Sequence, residues 1–154
     1  MGEMSALLES LKTRVLPAPM AGGPTTPRSV LAASAAGSFG ALALGTASLE
    51  AAREQIAACE GEHFGVNLFC PQKPLGEDSM AAVRAMAESE GVEVPSVDYS
   101  NGWEDKLQLA LDGGAAVLWS MFGTFSPGEI SRIHAAGAEA WTTVTSPEEA
   151  IAAA

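Results

Sequence analysis

The sequence is poor in positive charge, in cysteine and in long apolar runs. Its 154 residues include 8 lysines and arginines against 19 aspartates and glutamates, which gives a formal net charge of −11. Electrostatic binding to nucleic acid or to an anionic membrane surface needs clusters of basic residues, so we expect neither partner. Two cysteines are too few for a disulfide framework, and no run approaches the ~18 apolar residues of a membrane span.

Several familiar site motifs are also missing. The sequence has no His-x-x-x-His, paired-cysteine or Gly-x-Ser-x-Gly pattern, no Walker loop and no Gly-x-Gly-x-x-Gly. The sequence therefore does not support a metal site, a serine hydrolase or a dinucleotide-binding Rossmann domain. The segment from Met1 to Arg14 predicts a short amphipathic helix and lacks the pattern of a signal peptide. Together with the low cysteine content, this favours a cytoplasmic location. Cys59 shares the apolar face of a helix and is expected to pack in the core.

What the sequence does contain is a regular alternation of apolar and amphipathic segments. The predicted strands are Val15–Met20, Phe39–Leu44, Phe64–Phe69, Val94–Tyr99, Ala115–Met121 and Ala138–Val144. The predicted helices between and after them are Pro27–Ala36, Leu49–Glu60, Glu77–Glu90, Trp103–Leu111, Pro127–Ala136 and Pro147–Ala153. This alternation predicts an α/β protein with parallel strands and helical crossovers, as in a barrel or a doubly wound sheet.

The helix ends repeat one pattern. Thr26, Ser126 and Ser146 each precede a proline, so a hydroxyl caps the first turn and the proline occupies a position where no N–H is needed. Ser126 with Glu129, and Ser146 with Glu149, have the spacing of a capping box. Gly37 and Gly137 each follow an Ala-Ala pair and suit the left-handed position after a helix.

Three segments are candidates for ligand contact, because ligands of α/β proteins gather beyond the carboxyl ends of the strands. The first is Met20-Ala21-Gly22, where a backbone N–H could bind a flavin or phosphate; its alternative is a tight turn beside a core methionine. The second is Asn67, whose amide suits the edge of a heterocycle or else bonds to neighbouring backbone. The third is Ser120 with Gly123, for which a packed aromatic strand and a simple turn are the alternative.

The first two candidates lie in motifs that resemble the nitronate monooxygenase family. The motifs are Pro17-Ala18-Pro19-Met20-Ala21-Gly22-Gly23, Phe64-Gly65-Val66-Asn67-Leu68-Phe69, and the step from Ala135-Ala136-Gly137-Ala138 into Thr143–Ala150, in the family's order. The resemblance implies a TIM-barrel-type (β/α)₈ fold that holds FMN at its carboxyl face and oxidises alkyl nitronates with dioxygen. Met20, Ala21 and Gly22 would then lie beside the flavin, Asn67 would hydrogen-bond it, and Ser120 and Gly123 would line the same opening.

The resemblance also implies that part of the family's pattern lies outside this sequence. At about 30 residues per βα unit, residues 1–154 supply five to six units of eight, so we expect a single incomplete barrel domain, truncated at its C-terminus. The family's Gly-Gly-His segment and later flavin-phosphate loops are not here, and neither His63 nor His134 has a matching context, so no catalytic residue is assigned. Two alternatives stay open: a flavin-dependent enoyl-acyl-carrier-protein reductase, and a non-catalytic half-barrel that associates with a partner or with itself as a homo-oligomer.

Overall fold

Four parallel strands form one sheet, which helices connect. The computed structural model describes residues 5–153. The strands are β1 (Ala41–Ala43), β2 (Gly65–Phe69), β3 (Val117–Met121) and β4 (Glu139–Thr142), arranged side by side in chain order. The helices are α1 (Ala6–Ser10), α2 (Pro27–Ala35), α3 (Leu49–Ala57), α4 (Glu77–Glu90), α5 (Trp103–Asp112), α6 (Pro127–Ala135) and α7 (Pro147–Ala153). The predicted α/β class with parallel strands is confirmed.

The register of the sheet brings the carboxyl ends of its strands to one edge. Asn67 of β2 lies between Ala43 of β1 and Trp119 of β3, and Phe69 pairs with Met121. Ser120 of β3 pairs in turn with Thr142 of β4. The segments that follow these strands therefore begin at the same edge, which we call the carboxyl edge.

Side chains alternate between the two faces of the sheet. One face packs against the helices through a large cluster that includes Leu42, Val66, Leu118, Ile56 and Leu107. Cys59 is fully buried in this cluster, as predicted, and it is a free thiol.

The opposite face, which we call the inner face, carries a smaller apolar cluster. Leu7 of α1 packs there with Phe39 and Val117, beside the partly buried Trp119 and Trp141. Glu139 fixes α1 over this end of the sheet, because its carboxylate accepts hydrogen bonds from the backbone N–H of Leu7 (3.1 Å), from the Ser5 hydroxyl and from the Trp141 indole. Burial alone would raise the pKa of Glu139, but these hydrogen bonds lower it below its usual value.

The helix ends follow the predicted chemistry closely. Ser126 and Glu129 form a complete capping box at α6, and Gly37 and Gly137 have φ of +80° and +78°. At α7 the pattern differs: Ser146 caps the backbone of Glu149 (3.2 Å), but the Glu149 carboxylate binds the backbone N–H of Thr145 instead of that of Ser146. Among residues 5–153 no helix is long and apolar enough to cross a membrane.

Two of the six predicted strands are wrong. Val15–Met20 and Val94–Tyr99 are not strands, and their exposed members include Val15 (70%) and Val97 (54%). Both segments contain proline, which has no N–H to donate to a strand ladder. The four predicted strands that are confirmed contain none. The predicted Met1–Arg14 helix is confirmed only as α1; residues 1–4 lie outside the described residues.

Candidate functional site

A cavity of about 650 Å³ opens at the carboxyl edge, beyond the ends of β3 and β4. Its volume falls within the roughly 300–1,000 Å³ typical of small-molecule sites. Its walls are Gln72, Met121–Thr124, Thr142–Thr145, Glu149, Ala152 and Ala153. Ligands of parallel α/β sheets bind at this edge, so this cavity is the strongest candidate site in the described part of the chain.

Phe122 forms the most unusual wall of this cavity. It has a φ of +65°, in the left-handed region that bulky residues rarely adopt. Its side chain is 63% exposed, and its ring meets that of Phe69 edge to face with centroids 4.9 Å apart. Strained backbone held in place by its surroundings is common at ligand sites. The left-handed conformation of Phe122 therefore supports this turn as part of a candidate ligand site.

Gln72 holds the turn from the neighbouring strand end. Its side-chain amide donates to the backbone carbonyls of Phe122 (3.2 Å) and Cys70 (2.9 Å). Its own backbone N–H donates to the carbonyl of Tyr99 (2.8 Å). One side chain thus ties the end of β2 to the end of β3 and stabilises the strained conformation of Phe122.

The wall formed after β4 is rich in hydroxyl groups and carries one carboxylate. The Trp119 indole donates to the Thr143 hydroxyl (2.9 Å). The backbone N–H and the hydroxyl of Thr145 both donate to one oxygen of Glu149 (2.6 and 2.9 Å). These hydrogen bonds lower the pKa of Glu149. The cavity rim is therefore polar and negatively charged on this side.

Gly123, one of the residues predicted from sequence, lines the cavity. A Cβ at this position would lie 3.0 Å from the Cβ and 3.2 Å from the Sγ of Cys70. The glycine therefore allows the turn to pack closely over a buried thiol. Burial raises the pKa of Cys70 to about 11, the charge of Glu129 acts in the same direction, and a hydrogen bond with Ser120 opposes them, so the protonated thiol is favoured over the thiolate.

Ser120 lies on the helix-facing side of β3 and is fully buried. Its hydroxyl donates to the carbonyl of Gly123 (3.0 Å) and bonds to the Thr142 hydroxyl (2.9 Å). In this position Ser120 supports the turn from behind and does not line the cavity. Direct contact of its hydroxyl with a ligand stays a prediction, and the geometry favours a supporting role.

Asn67 is almost completely buried on the inner face of β2, with 1% of its surface exposed. Its side-chain amide donates to the carbonyl of Trp119 (3.1 Å). It lies on the same face as Phe69, two residues nearer the amino end of the strand. Asn67 thus bonds to neighbouring backbone, as the alternative interpretation held, and it does not line the cavity; its contact with a cofactor stays a prediction.

The structure does not bring Met20, Ala21 and Gly22 to this cavity. Met20 is 52% exposed, and its backbone N–H donates to the Thr25 hydroxyl (2.8 Å). Gly22 has a φ of +82° in an exposed turn. Met20 lines a separate space of about 100 Å³ together with Gly40 and Ala41 of the β1 region. Their predicted contact with a flavin stays a prediction.

Neither histidine lies at the carboxyl edge. His63 precedes β2, at the amino end of the sheet, where its ring meets Phe39 with centroids 5.3 Å apart. His134 is exposed near the end of α6. Sequence reasoning missed Gln72, Phe122 and Glu149 as site residues. Two signals in the sequence could have indicated these residues. Phe122 directly precedes a glycine, and Gln72 comes just after an apolar strand.

A parallel sheet with a cavity at its carboxyl edge defines an α/β protein with a candidate small-molecule site at that edge. The nitronate monooxygenase family model matches residues 5–154, and the chain belongs to this family. A solved structure of nitroalkane oxidase from Streptomyces ansochromogenes is similar over 97% of this chain, with 33% identity and a TM-score of 0.83. The chain spans 45% of the length of that protein. No curated protein matches the sequence.

Proposed function

We propose that this chain forms one wall of the FMN site of an enzyme that oxidises alkyl nitronates with dioxygen. Membership of the nitronate monooxygenase family supports the reaction class. The observation that carries the site is the cavity beyond β3 and β4, with its strained aromatic residue Phe122. When bound, FMN would supply the electron transfer between the nitronate and dioxygen, and the protein would bind and orient it.

The lining fits the ring system of a flavin better than its phosphate. Met121, Phe122 and Val144 give apolar surface, and Gly123 offers backbone without a side chain. No lysine or arginine lines the cavity within residues 5–153, while Glu149 adds a negative charge. A phosphate group is held by basic side chains or by free N–H groups. These residues would therefore hold the uncharged rings.

Gly123 is the predicted contact that the geometry favours, because it lines the cavity. Asn67 does not line the cavity, and we retain it as a proposed contact because its buried amide combines donors with an acceptor. Ser120 would act through the carbonyl of Gly123. Met20, Ala21 and Gly22 do not line this cavity, and we retain them as proposed contacts on the resemblance alone.

The proposal is tested by flavin binding to the 154-residue chain. We expect FMN to remain bound through desalting, with its visible absorption bands, and riboflavin to bind with an affinity within about threefold of FMN, because the lining offers no cation to the phosphate. Gly123→Val would place its Cβ 3.0 Å from the Cβ of Cys70 and so displace the turn that lines the cavity, and FMN affinity should fall at least about tenfold. Gly128→Val is the control, because Gly128 has open space around its Cβ position.

The reaction is tested separately. Oxygen uptake that depends on an alkyl nitronate supports the proposal, whereas flavin-dependent NADH oxidation without it supports an enoyl-acyl-carrier-protein reductase. A folded chain that retains no flavin and shows neither activity contradicts the proposed function of this chain. The same result with a stable dimer in size-exclusion chromatography would favour the non-catalytic, self-associating half-barrel.

A further inference from the structure

The side-chain amide of Gln72, in the wall of the cavity, has its orientation fixed by the fold. Its nitrogen donates to three backbone carbonyls, those of Cys70 (2.9 Å), Phe122 (3.2 Å) and Pro71 (3.3 Å). A carbonyl oxygen only accepts hydrogen bonds, so these contacts determine which end of the amide is the nitrogen. The backbone N–H of Gln72 is also bound, to the carbonyl of Tyr99 (2.8 Å). The side chain is therefore held in place before any ligand arrives.

The oxygen of the same amide has no donor from the protein. Within residues 5–153 every hydrogen bond of the Gln72 side chain is made by its nitrogen, and the residue is exposed. The oxygen can therefore bond to water while the cavity is empty of ligand. A ligand that fills the cavity beside Gln72 replaces this water, and it must then offer a donor of its own or leave the oxygen unpaired.

The other polar side chains of the lining impose no such requirement. A hydroxyl group rotates to donate or to accept, so it tolerates either kind of ligand atom. The threonines after β4 also have partners within the protein already; these are Thr142, Thr143 and Thr145. The carboxylate of Glu149 accepts from both the N–H and the hydroxyl of Thr145. Gln72 is thus the neutral, fixed group of the lining whose oxygen can only accept.

We propose that Gln72 determines the specificity of this cavity by accepting a hydrogen bond from the N3–H group of the flavin ring. The oxidised ring system has this one N–H group, and its other polar ring atoms are acceptors. The inference rests on the proposed flavin site, and it adds which edge of the ring lies toward the end of β2. A flavin methylated at N3 leaves the Gln72 oxygen unpaired.

The experiment compares the binding of lumiflavin and 3-methyllumiflavin to the 154-residue chain, measured by the quenching of flavin fluorescence. Neither ligand carries a phosphate, so the comparison reports on the ring alone. We expect 3-methyllumiflavin to bind at least about tenfold more weakly, because a site with a fixed acceptor rejects a ligand that lacks the donor.

Gln72→Met separates this hydrogen bond from the support that Gln72 gives to Phe122. Methionine has a similar length but no amide oxygen, so the two flavins should bind to this variant with affinities within about threefold of each other. If Gln72 were only a structural residue, or if the N3 methyl group only clashed with the wall, the tenfold difference would persist in Gln72→Met, and this result would overturn the proposal. Gln108→Met is the matched control, because Gln108 is exposed on α5 outside the lining, and it should keep the full difference.

The failure of this inference and the failure of the flavin site give different results. Equal affinities of the two flavins for the unmodified chain overturn the role of Gln72 and leave the flavin site intact. Binding of neither flavin overturns the proposed flavin site and this inference with it. If Gln72→Met does not fold, the N3–H proton of isotope-labelled lumiflavin bound to the unmodified chain decides by NMR. We expect it to exchange slowly with water, and exchange as fast as in free lumiflavin overturns the proposal.

Discussion

Two glycine turns with similar sequence surroundings have different structures in this molecule. The turn at Phe122-Gly123 follows strand β3, lines a cavity of about 650 Å³ and packs over a buried thiol. The turn at Ala21-Gly22 follows an irregular, exposed segment, and a Cβ on Gly22 would meet nothing within 4 Å. Both sequences read as an apolar run that ends in glycine, but only one becomes a strand end.

The difference lies in the residues before each turn. Val117–Met121 contains no proline, so every residue has a backbone N–H to donate, and the strand pairs with β2 on one side and β4 on the other. Pro17 and Pro19 remove two donors from Val15–Met20. A glycine marks a ligand-facing turn only where the preceding segment can enter the sheet, because the sheet fixes where the turn points. This explains why the Gly123 turn lies at the carboxyl edge and the Gly22 turn does not.

The largest effect is expected for Asn67→Asp, which tests whether this position of β2 is as fully buried as the structure shows. The new carboxylate would face the carbonyl of Trp119, which now accepts from the Asn67 amide. A buried charge without a partner costs about 3 kcal/mol or more in the free energy of unfolding. The comparison variant is Met20→Ala, which should cost less than about 1 kcal/mol because that side chain is half exposed.

Denaturant unfolding of the two variants measures this contrast. Similar losses for Asn67→Asp and Met20→Ala would break the comparison, because they would mean that the Met20 loop is packed as firmly as the sheet. Asn67→Leu is a further control for volume. It removes the hydrogen bond without adding charge, and its loss should lie between those of the other two variants.

An intermediate effect is expected for Gly45→Ala. The new Cβ would lie 2.4 Å from the ring of Phe69, which in turn supports Phe122. Forcing a ring out of a packed position costs about 2 kcal/mol. Gly128→Ala is the matched control, because its Cβ would meet nothing within 4 Å and alanine favours the helix. Calorimetry should show a lower melting temperature for Gly45→Ala alone; equal values would mean that Phe69 moves freely.

Sequence reasoning found most of the fold because the signals were local. The bounds of α4 and α7 match their predictions, and the proline and glycine positions set the ends of α2 and α6. The false strands at Val15–Met20 and Val94–Tyr99 arose from counting apolar residues without weighing the proline in each. Strand pairing is a long-range property, and an isolated apolar run does not reveal whether its neighbours are in reach.

The site was predicted less completely than the fold. Gly123, which lines the cavity, could be singled out because a glycine at a strand end is a recognisable sequence signal, whereas the contact of Asn67 with a ligand stays a prediction. Gln72 was missed because its role is to hold the carbonyl of Phe122, 50 residues away in sequence. The face on which Ser120 lies depends on the register of β3, which the sequence leaves open.

The smallest effect on stability, and the sharpest test of the cavity, is expected for Phe122→Gly. Glycine adopts the left-handed φ of +65° without strain, which gains about 1 kcal/mol. The loss of the edge-to-face contact with Phe69 costs a similar amount, about 0.5–1.5 kcal/mol. The free energy of unfolding should therefore change by less than about 0.5 kcal/mol, while flavin affinity falls because one wall of the cavity is gone.

Asn101→Gly is the control. It relieves a φ of +54° but removes a hydrogen bond to the carbonyl of Cys70, and Asn101 does not line the cavity. It should reduce stability and leave flavin affinity unchanged, and the reverse pattern would mean that Phe122 is a structural residue.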